Sequence, residues 1–98
     1  MRRLFGVAIF LVGCCSTGSG GNGLSAQQAI CLCAPNENAG IREEYEWLNE
    51  HYPGYHRRTQ HLVFDPDKKK VYDILDITTA DGTETSVYFD ITWYYGKW

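Results

Sequence analysis

Lys70-Val71-Tyr72-Asp73-Ile74-Leu75-Asp76-Ile77-Thr78-Thr79-Ala80-Asp81-Gly82-Thr83-Glu84-Thr85-Ser86-Val87-Tyr88-Phe89-Asp90-Ile91-Thr92 is the stretch that decides the fold. Two runs rich in β-branched and aromatic residues flank the turn signal Ala80-Asp81-Gly82, which predicts a β-hairpin with strands over about 70–78 and 84–92. A two-residue Asp81-Gly82 turn would set Asp73 opposite Asp90, a like-charge pair that costs stability. A three-residue loop, with Gly82 left-handed as in a type I turn plus bulge, instead sets Leu75 against Val87 and Val71 against Ile91. One face then collects Val71, Leu75, Ile77, Val87, Phe89 and Ile91, with Asp73 as its misfit. The opposite face carries Tyr72, Ile74, Asp76, Ser86, Tyr88 and Asp90, a mixture suited to a wet surface or a partner surface.

Working upstream, residues 55–64 read as a further strand, joined to the hairpin by the turn Asp65-Pro66-Asp67-Lys68. Short connections make the neighbours antiparallel. A helix is expected over about 39–51, capped by Asn38, with Glu43 and Glu44 near its positive end and Pro53-Gly54 beyond its close. Ile41, Tyr45, Leu48 and Tyr52 recur at helical spacing and form the stripe expected to cover the sheet. The fold class is therefore α+β, one amphipathic helix packed on a three-stranded antiparallel meander, and the domain runs over 39–98. Between 24 and 38 the pattern supports no stable element, because Cys33-Ala34-Pro35-Asn36 breaks any helix that Ala26-Gln27-Gln28-Ala29-Ile30 could start.

The N-terminus reads as an address. Arg2-Arg3 precedes the apolar run Leu4 to Val12, which is too short for a spanning helix of about 20 residues, so residues 1–13 are a secretory signal. Leu11-Val12-Gly13-Cys14 resembles the lipobox of bacterial lipoprotein precursors. That resemblance implies cleavage after Gly13, a thioether-linked diacylglycerol on Cys14, acylation of the new amine and a membrane anchor that does not span. Cys15 in place of an Asp leans toward the outer membrane in the familiar sorting pattern. Residues 14–38 then form a tether, rich at first in Ser, Thr, Gly and Asn. The 98-residue chain has 9 Lys+Arg against 12 Asp+Glu, and loss of Arg2 and Arg3 with the leader leaves 7 against 12, a balance of −5. That excludes a nucleic-acid wrapper or a multidomain enzyme.

The order helix, His51-Tyr52-Pro53-Gly54-Tyr55, Val71-Tyr72-Asp73-Ile74, Ala80-Asp81-Gly82 and Val87-Tyr88-Phe89-Asp90 resembles PepSY and PepSY-like secreted domains over about 39–91. The resemblance implies a noncatalytic envelope domain that binds or restrains a peptidase or another protein. The ending departs from that pattern, since Thr92-Trp93-Tyr94-Tyr95 replaces a small Gly-containing turn. Tyr88-Phe89-Asp90-Ile91 and Tyr95-Gly96 are also similar to short uncharacterised Gram-negative exported proteins, a likeness that carries no activity.

Candidate chemistry is sparse. With Cys14 lipidated, Cys15, Cys31 and Cys33 are an odd set, leaving either an intermolecular bridge or one thiol over. No Cys-x-x-Cys pair offers a zinc site, so neither metal nor cofactor is expected. His51, His56 and His61 fall at intervals of five and do not converge. Arg57-Arg58 and Lys68-Lys69-Lys70 read as solvating charges at strand edges and turns. No nucleophile comes with a base or a strained elbow, so no enzyme is expected. In the tail, Tyr94 and Trp98 are candidate binding residues, flat surfaces for a sugar, a peptide or a membrane, if Trp93 and Tyr95 continue the strand; alternatively the tail folds back to close a small core. The expected function is a membrane-anchored envelope module that binds a protein or peptide, with glycan binding through the aromatic tail as the alternative.

Overall fold

The computed structural model describes residues 21–98. Residues 1–13, expected to be a signal peptide, and Cys14 and Cys15 lie outside the described residues. The chain forms β1 (Ile30–Cys31), α1 (Glu37–His51), β2 (His56–Asp65), β3 (Lys70–Thr78) and β4 (Glu84–Asp90). Sheet order is β1-β4-β3-β2, and the architecture is α+β. The three expected strands are present and antiparallel, but the sheet is four-stranded and mixed, because β1 adds parallel to β4 with Ile30 beside Phe89. Two residues are too few for a strand pattern to register. What holds them is tertiary: Tyr88 N–H donates to Gly23 O at 2.7 Å, and Ile30, Leu32 and Ala34 are buried in the core. The packed domain thus reaches back past Ala39 into the segment read as tether.

The hairpin register is the one the turn chemistry predicts. Leu75 faces Val87 and Tyr72 faces Asp90, so Asp73 and Asp90 do not meet. Gly82 takes φ +90 and donates its N–H to Thr79 O at 2.9 Å, and Thr79 N–H donates to Thr83 O at 2.8 Å. The β2–β3 connection is held by Asp65, whose Oδ1 accepts from Asp67 and Lys68 N–H at 3.1 and 3.2 Å. A bulge interrupts β2 between Arg57 and Thr59.

Helix α1 starts two residues before the expected position. Asn36, not Asn38, is the cap: its backbone is extended and its Oδ1 accepts from Ala39 N–H at 2.9 Å. Asn36 follows Pro35, whose ring disfavours helical backbone at Ala34 and so holds the approach extended. The buried stripe also differs. Gly40, Glu44 and Leu48 point inward, while Ile41 is 42% exposed; Tyr45 and Tyr52 only partly bury against the core. The rotation follows from the C-terminal segment. Strand pairing stops at Asp90, and residues 92–96 turn rather than extend, with Tyr95 N–H donating to Ile91 O at 2.9 Å. The turn slides beneath the start of α1, where Glu37 N–H donates to Lys97 O at 2.8 Å and Gly96 N–H to Glu37 Oε2 at 2.6 Å. Tyr94 is therefore 1% exposed and its ring lies against Gly40. The tail folds back, and the expectation of Tyr94 as an exposed binding surface is corrected.

The core gathers Leu48, Leu75, Ile77, Val87 and Phe89, all fully buried, with Trp47 edge-on to Phe89 at 5.6 Å. Each such aliphatic or aromatic side chain contributes about 1.5–3 kcal/mol by burial.

Candidate functional site

Asp73 finds its partners on two other segments, and a third closes the cluster. Gln60 on β2 lies diagonally across the strand pair, and its Nε2 donates to both Asp73 carboxylate oxygens at 2.9 and 2.8 Å. Glu44 descends from α1 to hydrogen-bond Asp73, and the Tyr94 hydroxyl donates to Glu44 Oε2. Burial, followed by the hydrogen bond and the charge of Asp73, pushes the Glu44 carboxyl up to about 9, against a smaller opposing effect from Tyr94. Glu44 is thus a neutral acid at pH 7 whose O–H donates a hydrogen bond to the Asp73 carboxylate. Burial, then the nearby Glu44, holds the Tyr94 phenol well above its ordinary value. The Glu44–Asp73 hydrogen bond, with donors from Gln60 and Tyr94, satisfies polar groups that would otherwise cost about 1–3 kcal/mol.

Above this cluster a hollow of about 180 Å³ opens between α1, β2 and the C-terminal turn, rimmed by Ile41, Leu62 and Tyr95. Phe64 extends the rim, edge-on to Tyr95 at 5.4 Å. Leu62, Val63 and Phe64 are 47%, 39% and 56% exposed, and β2 is exposed along its length except at Asp65. Among the described residues it is a ten-residue edge strand paired only to β3. Edges of that length are normally blunted by proline, lysine or bulges. Here the bulge occupies one end and leaves Leu62-Val63-Phe64 presented.

On the opposite face, Asp76 accepts from Ser86 at 2.5 Å, from Thr59, and pairs with His61 Nε2 at 2.8 Å. The Ser86 bond, then those from Thr59 and His61, hold its carboxyl well below the usual range. Ser86 donates to the carboxylate and not to the imidazole, which is the wrong order for activating a nucleophile. Farther across the sheet, Lys70 Nζ reaches buried Asp90 at 3.0 Å; Thr92 Oγ1 donates to the same carboxylate at 2.6 Å, and Cys31 Sγ lies 3.9 Å from it. Cys33 is disulfide-bonded. Among the described residues no group of three or more His, Cys, Asp or Glu is placed to hold a metal ion.

Of the residues singled out in the sequence, Trp98 is 87% exposed, Tyr94 is in the core, and His51, His56 and His61 are exposed and apart. A second cleft of about 510 Å³ lies between Tyr52-Pro53 and the β3–β4 turn, lined by hydroxyl and apolar groups, with Asp81 the one carboxylate among the described lining residues. No described helix is long and apolar enough to cross a membrane. Sequence reasoning missed Glu44 and Gln60; the available signal was Gly40, Glu44 and Leu48 at helical spacing, a second stripe beside the more apolar one. Comparison with protein-family models, curated proteins and solved structures returned no match.

Proposed function

We propose that this chain is an acyl-anchored lipoprotein of the bacterial cell envelope, outer membrane rather than inner, whose domain does no chemistry and holds a protein or peptide partner by strand addition to β2. The observation that carries the binding role is the edge strand β2: nine of its ten residues are exposed, with Leu62, Val63 and Phe64 presented to solvent. An extended partner would gain main-chain hydrogen bonds along such an edge, with specificity from alternate side chains. The anchor is supported by Leu11-Val12-Gly13-Cys14 after an apolar run, and two or three acyl chains at about 0.8 kcal/mol per buried methylene would hold firmly. The noncatalytic reading is supported by the carboxyl pair, in which both acids are committed to partners within the fold.

The anchor is tested by metabolic labelling with a fatty-acid analogue: wild type incorporates label and Cys14→Ser does not. The edge is tested by affinity capture from solubilised envelopes with wild type and Leu62→Pro. A partner held by wild type and released by the variant supports strand addition; equal recovery by both counts against it. Glycan binding is a second reading, favoured by the exposure of Trp98 and Trp93 in the tail. Cosedimentation with purified sacculi that Trp98→Ala abolishes would support it, and unchanged retention would remove it.

A further inference from the structure

Backbone polarity fixes which groups of β2 are available. Ile91 N–H donates to Val71 O at 2.9 Å, so Val71 turns its backbone groups toward the β4 side, as do Asp73 and Leu75 by alternation. Tyr72 and Ile74 therefore turn theirs toward β2, where they meet Val63 and His61. Gln60, Leu62 and Phe64 are left with N–H and C=O aimed away from the sheet. Leu62 and Phe64 also lie on the helix side, because they stand opposite Asp73 and Val71. Val63 and Asp65 lie on the other side.

We propose that the strand taken up by this edge is β2 of a second copy of the chain, paired antiparallel about a two-fold axis at Val63. The inference rests on the reading of β2 as a binding edge. A two-fold axis across an antiparallel pair sets outward-facing residues against outward-facing residues on the same side of the sheet. Three centres near the middle of the presented stretch satisfy this. Centring on His61 stacks two imidazoles and sets Leu62 on Gln60. Centring on Leu62 sets His61 on Val63 and Phe64 on Gln60. Centring on Val63 sets Leu62 against Phe64 twice, Val63 against itself, and His61 against Asp65 twice. Every apolar position then meets an apolar one, and each His61 stands opposite an acceptor carboxylate. Pro66, with no N–H, ends the ladder. The bulge between Arg57 and Thr59 bends the arginine end away, so it flanks the pairing.

The Val63 pair is of the non-hydrogen-bonded kind, with Cα atoms about 4.5 Å apart, inside the range of about 4.4–6.8 Å that a disulfide spans. The test uses the full purified chain under mild oxidation. Val63→Cys should give a reducible dimer at several times the yield of wild type, which reports the native cysteines, and of Thr59→Cys, which shares that side of the strand but not the axis. In sedimentation velocity, Val63→Lys should lower the wild-type dimer fraction at least fivefold. No excess cross-link at position 63 overturns the inference. If the chain stays monomeric but still captures an envelope partner in a Leu62→Pro-sensitive way, the second-copy assignment falls and strand addition stands. If it does neither, both fall.

Discussion

Gly40→Ala should destabilise this domain although alanine is the better helix former. In an exposed helix interior the change gains about 1 kcal/mol. Here an added Cβ would lie 2.3–2.4 Å from three atoms of the Tyr94 ring, more than 1 Å inside ordinary carbon contact. The obstacle is a ring wedged between α1 and the sheet, so it yields only by shifting the C-terminal turn. Overpacking of this kind costs about 1–3 kcal/mol. Displacing the phenol also takes its donor from buried Glu44, a further loss of about 1–3 kcal/mol. Set against the propensity gain, the net loss is about 1–5 kcal/mol. Urea unfolding followed by tryptophan fluorescence reads it as a lowered midpoint at unchanged slope. In a Tyr94→Ala background the same substitution should become neutral or stabilising, giving a coupling above about 1 kcal/mol. A rise in stability for Gly40→Ala in the otherwise unchanged chain would refute the packing described for Tyr94.

Glu44 makes a pH prediction. Its carboxyl is raised from 4.5 to about 9, so between those values the folded chain keeps a proton that the unfolded chain has released. Stability should therefore fall as pH rises from about 4.5 to 9, by at most about 1.4 kcal/mol per pH unit from this group; Glu44→Gln should flatten that slope in urea titrations, and an unaltered slope would sink the assignment. Asp76 acts in the opposite sense: its lowered carboxyl contributes stability that is present above 3.8 and lost in more acid solution, so Asp76→Asn should blunt acid unfolding measured by circular dichroism. Asn36→Ala should cost about 0.5–2 kcal/mol by removing the helix cap, whereas Asn38→Ala should cost clearly less. Gly82→Ala meets open space but a φ of +90, and should still lose about 1–2 kcal/mol in the same assay.

The sheet was legible where local chemistry decided it. Asp81-Gly82 set the loop, the Asp73–Asp90 repulsion excluded the rival register, and β3 and β4 followed. The helix was legible as a helix but not in its rotation, because ranking by hydrophobicity selects Ile41 over Glu44. The rotation depends on Tyr94, fifty residues away, and on the absence of a side chain at Gly40. For the same reason Asp73 could be recognised as a misfit while its solution could not: Glu44, Gln60 and Tyr94 come from three segments that only the folded chain brings together. The strand β1 left no periodic trace, since two residues have no period. The edge was written in the sequence as an ordinary strand; that no other described strand pairs with its outer side is a property of sheet order.

Among the described residues, the pairing of Ile30–Cys31 with β4 makes the two flanks of the sheet unlike, one partly covered and one bare. A sheet with two open flanks can recruit neighbours on both sides and grow without limit, as fibrils do. Ile30–Cys31, with the Gly23–Tyr88 bond beside it, occupies part of the β4 border and leaves only short stretches there for a stranger to pair with. If β2 recruits a strand as proposed, this brief parallel contact would make the two borders unequal, so that association at β2 need not propagate through β4.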